Sequence, residues 1–149
     1  MDIKGEIMQL KLTNKNLLLL KSTLEKLHIN SMKVNRGKIK LYKHVLVKID
    51  EYAEDEQEIL KAGAVIDDDG SFAKTDDGNI KLKEGETYEH INQQLLELAQ
   101  EEVVLEAGEY EARYTVFLEW LAECEEKLTM DEAILVDDLL EQFEDQKGE

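Results

Sequence analysis

Residues 32–61 read MKVNRGKIKLYKHVLVKIDEYAEDEQEILK, and this stretch decides the fold. Ile39, Tyr42, Leu46, Ile49, Ala53 and Leu60 recur at three-four spacing, with Glu56 as the one polar interruption. That period predicts a single amphipathic helix with this stripe buried. At 1.5 Å per residue it would run about 45 Å, against roughly 38 Å for the diameter of a compact chain of this size, so either the helix breaks or the molecule is elongated. Its charges oppose its own macrodipole, with Lys33, Arg36, Lys38, Lys40 and Lys43 near the start and Glu54, Asp55, Glu56 and Glu58 near the end. Each such mismatch costs a few tenths of a kcal/mol, which tertiary packing overrides.

On the N-terminal side, Met8, Leu10 and Leu12 alternate with Gln9, Lys11 and Thr13, the period-2 pattern of a half-buried strand. Asn14 is placed to cap a helix whose Leu17, Leu20, Leu24 and Leu27 form one stripe, ending near His28 to Asn30. The two stripes predict an antiparallel helical hairpin. On the other side the helical period stops between Gly63 and Gly85. Two similar pieces, AVIDDDGSFAK and AKTDDGNIKLK, each set Asp-Gly between β-formers, which predicts a small antiparallel excursion.

Thr87 then caps a helix carrying Tyr88, Ile91, Leu95 and Leu98. Val103, Val104 and Leu105 form a short strand, a candidate partner for Met8 to Leu12. A helix from about Tyr110 to Glu126 buries Tyr114, Phe117, Trp120 or Leu121, and Cys124. Thr129 and Glu132 form a capping box ahead of Ala133, Val136, Leu140 and Phe143. The sum is an α+β fold, predominantly helical, in a single domain over residues 1–149: an N-terminal helical hairpin with a long second helix, a small antiparallel β excursion in the middle, and C-terminal helices. Prolines number zero, which suits long helices, and only Asp145 to Glu149 read as frayed.

Charge is sorted by position. Of 18 lysines and arginines, eleven lie in the first 49 residues with only three of the 35 carboxylates, a local +8 beside −25 for the rest. Such a chain selects partners by sign before shape. One cysteine excludes an intramolecular disulfide and a cysteine-rich zinc site, which fits a reducing cytoplasm. The start MDIKGEIMQLK has no apolar leader core, and the longest apolar run, Leu17 to Leu20, is far short of the ~18 residues of a membrane span.

Motifs for chemistry are few. Asp67, Asp68, Asp69, Asp76 and Asp77 could gather around a hard cation, but an EF-hand counted from Asp67 needs Gly and Glu where Phe72 and Gly78 stand, so solvated turns are expected and no metal or cofactor. His28, His44 and His90 lie in separate segments, and Glu25 with His28 makes only one copy of the Glu-x-x-His spacing, where a di-iron site needs two. Cys124 among Glu123, Glu125 and Glu126 has its thiolate disfavoured, so it is expected in the core. Glycine-rich phosphate loops, hydrolase elbows and nucleotide fingerprints are missing from the sequence, and no catalytic residue is assigned.

Two surfaces remain as binding candidates. Lys33, Arg36, Lys40 and Lys43, with His44, fall on one helical side; such a stripe either tracks phosphates or is a solvated face whose lysines pair with the chain's own acidic body. The acidic half, including Glu97, Glu101, Glu119, Asp137, Asp138 and Glu141, either imitates a nucleic-acid backbone for a basic partner or forms solvated helix faces. A protein partner is expected, nucleic acid is disfavoured by the net charge of −17, and no membrane is expected.

The segments QLKLTNKNLLLL, MKVNRGKIKL, EYAEDE, ELAQEEVVLEAGEY and LTMDEAILVDDLLEQFED, in this order, resemble a family of small proteins of unknown function from bacteriophages and prophages of Gram-positive bacteria. The resemblance implies a gene near tail and lysis genes and no established enzymatic activity. It implies an accessory factor of virion assembly or host interaction in the host cytoplasm, or an acidic inhibitor of a host nucleic-acid-binding or defence protein.

Overall fold

The structure, a computed structural model, describes residues 8–147. The N-terminal leader reading falls largely on Met1 to Ile7, and the last two residues of the stretch expected to fray are Gly148 and Glu149, all outside the described residues; Asp145 to Lys147, expected to fray with them, are helical. In chain order the elements are β1 (Gln9–Thr13), α1 (Leu17–Lys26), α2 (Met32–Gly63), α3 (Tyr88–Gln100), β2 (Glu102–Glu106), α4 (Glu111–Ala122) and α5 (Met130–Lys147). They belong to two compact units. One runs up to Ile49 and resumes at Glu102; the other is Asp50–Glu101. α2 is unbroken and contributes to both.

In the first unit, β1 and β2 pair antiparallel with Leu10 opposite Leu105 and Leu12 opposite Val103. Because alternate side chains share a face, these four turn inward together, and all are buried. α1 starts one turn later than the sequence implied: Asn14 to Asn16 form a 3-10 turn, and the helix ends at Lys26. Leu17, Leu20, Leu24 and Leu27 are buried as expected. α1 and α2 meet as a hairpin through polar ties, the Tyr42 hydroxyl donating to Glu25 (2.5 Å) and Lys38 Nζ to the Leu27 carbonyl (3.3 Å).

The buried face of α2 is not the one the period indicated. Val34, Gly37, Leu41 and Val45 are buried, whereas Ile39 is 38% exposed and Tyr42 and Leu46 are half-buried. The true stripe lies about a third of a turn away. Gly37 explains it: a Cβ there would collide with the Arg113 carbonyl oxygen and stand 2.9 Å from Phe117 Cβ. The side chain that is absent lets α2 and α4 cross backbone to backbone, and that crossing turns Ile39 outward.

α4 buries Tyr114, Phe117, Leu118 and Leu121, with Trp120 half-buried and its ring 6.2 Å from that of Phe117. Cys124 lies past the helix end, half-buried, its Sγ accepting the Glu126 N–H (3.2 Å), so it is a loop residue and not core. α5 opens on the expected capping box: Glu132 N–H donates to Thr129 Oγ1 (3.2 Å), and Thr129 N–H to Glu132 Oε1 (2.8 Å). Its core face is Leu135, Val136, Leu139 and Phe143; Ala133 is exposed and Leu140 only half-buried, which corrects the expected stripe by one position.

The second unit contains a repeat that the two similar Asp-Gly pieces only hinted at. Residues 63–70 (GAVIDDDG), 71–78 (SFAKTDDG) and 79–86 (NIKLKEGE) occupy equivalent places around a closed ring. Ala73 N–H donates to the Val65 carbonyl (2.9 Å), Lys81 N–H to Ala73 (2.8 Å), and Val65 N–H to Lys81 (2.9 Å). A second ring repeats the rule: Asp67 N–H to the Ser71 carbonyl (2.8 Å), Thr75 N–H to Asn79 (2.7 Å), and Lys83 N–H to Gly63 (2.9 Å). Each octet thus bonds the next, and the third closes on the first. Gly70 (φ +88°) and Gly78 (φ +85°) end the first two turns in the left-handed region that favours glycine. Small side chains suit the crowded interior, where Ala64 and Ala73 are buried. Thr87 caps α3 by accepting the His90 N–H (3.0 Å), and Ile91 and Leu98 are its buried residues. Among the described residues, no helix is long and apolar enough to cross a membrane.

Candidate functional site

Burial of Val34, Gly37, Leu41 and Val45 fixes where the other α2 side chains point. One helical side away, Lys33, Arg36 and Lys43 are exposed and Lys40 is half-buried. The structure therefore does bring the four cations together along one flank. Lys33, Arg36 and Lys43 have no ion-pair partner among the described residues, so the expected pairing with the acidic body is not formed there. Lys40 is held differently, its Nζ 4.6 Å above the centre of the Tyr110 ring. The negative face of an aromatic ring attracts a cation without neutralising it.

Beside this flank lies a cleft of about 440 Å³ lined by Lys40, Lys43, His44 and Val47 of α2 and by Tyr110 and Tyr114, with Glu106 and Glu109 on the facing lip. A 3-10 turn, Gly108–Tyr110, delivers the Tyr110 ring, and Gly108 (φ +54°) makes that turn possible. His44 Nδ1 is 3.2 Å from the Tyr114 hydroxyl. Burial, with a smaller effect of Tyr110, pushes the Tyr114 phenol up to about 12, which holds it neutral as a fixed polar group at the cleft base. Val47 is 51% exposed at the rim. The assembly is an apolar-walled opening beside a row of cations, which suits recognition of an anionic partner carrying one apolar side chain.

Sequence reasoning found the cations but missed Val47, Tyr110 and Tyr114 as their neighbours. The i, i+4 step from Lys43 to Val47 was available as a signal; the approach of the Gly108–Tyr110 turn from far along the chain was not.

The other candidates resolve into local structure. Asp69 accepts the Ser71 hydroxyl (2.6 Å) and Ser71 N–H (3.0 Å), bonds that lower its carboxyl below the usual range and close a turn. Among the described residues no three metal-ligating side chains converge. Glu25 does not pair with His28; it holds Lys21 (2.8 Å) and Tyr42, while His28 donates its backbone N–H to Glu126 (2.8 Å) with its ring Nδ1 at 2.9 Å. His90 sits beside Glu86 (2.7 Å) at the start of α3.

Residues 8–149 match the family model described as a protein of unknown function, DUF1617. The chain belongs to that family. No curated protein and no solved structure matches it. The family description leaves the flank and its cleft to be read on their own chemistry.

Proposed function

We propose that this DUF1617 member is a non-enzymatic accessory protein of phage or prophage origin, acting in the host cytoplasm by binding another protein through the α2 flank. The observation that carries the reading is the set Lys33, Arg36 and Lys43, exposed and without ion-pair partners among the described residues, beside the Val47 and Tyr110 opening. Unneutralised cations next to an apolar recess steer an acidic protein surface and then anchor it. A nucleic-acid partner fits less well, because the chain's net charge of −17 opposes a polyanion. The phage assignment rests on the resemblance of the sequence segments, and the absence of a catalytic role rests on the lack of a nucleophile, base and orienter set in the sequence.

The test is capture from infected cells by the unchanged chain and by the triple variant Lys33→Glu, Arg36→Glu, Lys43→Glu, with Lys74→Glu, Lys83→Glu, Lys127→Glu as a charge-matched control. A partner held by the control, lost by the triple variant and weakened as salt rises from ~0.05 to ~0.5 M supports the reading. A partner that survives both the triple variant and high salt overturns it.

A further inference from the structure

β1 has two edges. One pairs with β2; along the other, among the described residues, the backbone groups of Gln9 and Lys11 are met by side chains of α5. Gln9 N–H donates to Gln146 Oε1 (2.9 Å), and Gln146 Nε2 donates back to the Gln9 carbonyl (2.6 Å). Lys11 repeats the arrangement with Gln142, its N–H donating to Oε1 (2.7 Å) and its carbonyl accepting from Nε2 (2.8 Å). Each amide thus occupies both polar groups of one strand residue. The match is geometric as well as chemical: four residues of helix rise about 6.0 Å, and two residues of strand advance about 6.7 Å, so an i, i+4 pair on α5 keeps step with an i, i+2 pair on β1. The glutamine amide donates and accepts from adjacent atoms at once, whereas a carboxylate or an ammonium at either position could satisfy one group and not the other.

These bonds are exposed, so water could replace them at little cost, and their main effect is to occupy the edge. A free strand edge is a template for another strand. The strand at hand is β1 of a second copy. Its sequence QLKLT carries no carboxylate, so β1 against β1 brings together no negative charge from either strand, although the chain is strongly acidic overall. An antiparallel register centred on Leu10 sets Gln9 opposite the second copy's Lys11 and keeps Leu10 and Leu12 of both on one face. A groove of about 910 Å³ already runs beside this edge, between Gln9, Lys11 and Thr13 and the helix residues Asp138, Gln142 and Gln146.

We propose that Gln142 and Gln146 act as an edge guard, keeping β1 from pairing with β1 of a second copy. The experiment compares the full chain with Q142A/Q146A by sedimentation across a concentration series and by amide hydrogen exchange. Alanine keeps α5 helical, and Q142N/Q146N, one methylene too short to reach, repeats the test with polar surface retained should the alanine pair fail to fold. The expected result is self-association at least tenfold tighter than that of the unchanged chain, with Gln9 and Lys11 amides exchanging faster when dilute and protected again when concentrated. Adding Lys11→Pro, which removes one edge N–H, should return the variant to the behaviour of the unchanged chain. Faster exchange at Gln9 and Lys11 without tighter association, unchanged exchange, or association that survives Lys11→Pro would each overturn the proposal.

Discussion

Gly37 of α2 stands against Arg113 of α4 so closely that any β-carbon at position 37 would collide with the Arg113 carbonyl oxygen. The obstacle is backbone, which cannot swing aside. Gly37→Ala should therefore destabilise the chain by about 1 to 3 kcal/mol, the usual range for overpacking, even after alanine returns up to ~1 kcal/mol of helix propensity. Gly63→Ala is the contrast, because the nearest atom there is Ile91 Cδ1 at 2.8 Å, the far end of a flexible side chain. It should lie within about 1 kcal/mol of the unchanged chain. Urea denaturation of both variants decides; equal costs would mean that the α2–α4 crossing is not tight at Gly37.

The last helix makes a prediction that separates neighbours. Leu139 is buried and Leu140 half-buried. Leu139→Ala should cost about 2 to 5 kcal/mol through the lost contacts and the cavity left behind. Leu140→Ala should cost clearly less, and Thr129→Ala, which deletes the cap acceptor, about 1 kcal/mol. If Leu140→Ala proves the more damaging of the two leucines, the helix is rotated from the orientation described.

Glu132 links that cap to α1. Its carboxylate takes Lys26 Nζ at 2.7 Å as well as the Thr129 N–H, and these bonds, Lys26 first, hold its carboxyl below the ordinary value of 4.5. A carboxyl lowered in the folded state contributes stability that is complete above its unfolded value and is lost as pH falls through the folded one. Stability should decline as pH drops below about 4.5, and Glu132→Gln should make that decline shallower. Urea midpoints measured between pH 3 and 7 (on the order of these limits, where carboxylates titrate) check it; parallel curves would show that Glu132 does not carry the effect.

The acidic turns supply a ligand prediction. Asp69 is engaged with Ser71, and no metal-ligating trio forms among the described residues. Millimolar calcium should leave Tm where matched ionic strength leaves it, since only a ligand that binds the folded state raises stability by mass action. A saturable rise of several degrees specific to calcium would refute this reading of Asp67 to Asp77.

The eight-residue repeat predicts equivalence. Gly70 and Gly78 hold the same place in successive octets, both at positive φ with open space around them. Replacing either with alanine strains the backbone and nothing else, so Gly70→Ala and Gly78→Ala should destabilise by similar amounts, on the order of 1 kcal/mol each. Thermal melts of the two compare directly; a severalfold difference would show that the octets are not equivalent.

What could be read from the chain alone was local. Thr87 and Thr129 are caps because donor and acceptor lie within three residues, and the Asp-Gly turns follow from a conformation that favours glycine. The Leu17 to Leu27 stripe and the Met8 to Leu12 strand were legible because their period or alternation is unambiguous, whereas Val103 to Leu105 could be named only as a candidate partner strand, the pairing itself being tertiary. The buried side of α2 was not legible: Ile39 and Leu46 are as apolar as Leu41 and Val45, and only the contact of Gly37 with α4, more than seventy residues away, selects between them. The cations of the candidate site were visible, but that Lys33, Arg36 and Lys43 have no ion-pair partner among the described residues, and that Tyr110 and Tyr114 lie beside the flank, depends on where β2 and α4 deliver those groups. The glutamines that cover β1 come from positions 131 and 137 residues further on. Local hydrogen bonding and periodicity determined the elements, whereas the choice of buried face, exposed charge and covered edge waited for tertiary packing, because apolar burial has no direction until a second surface supplies one.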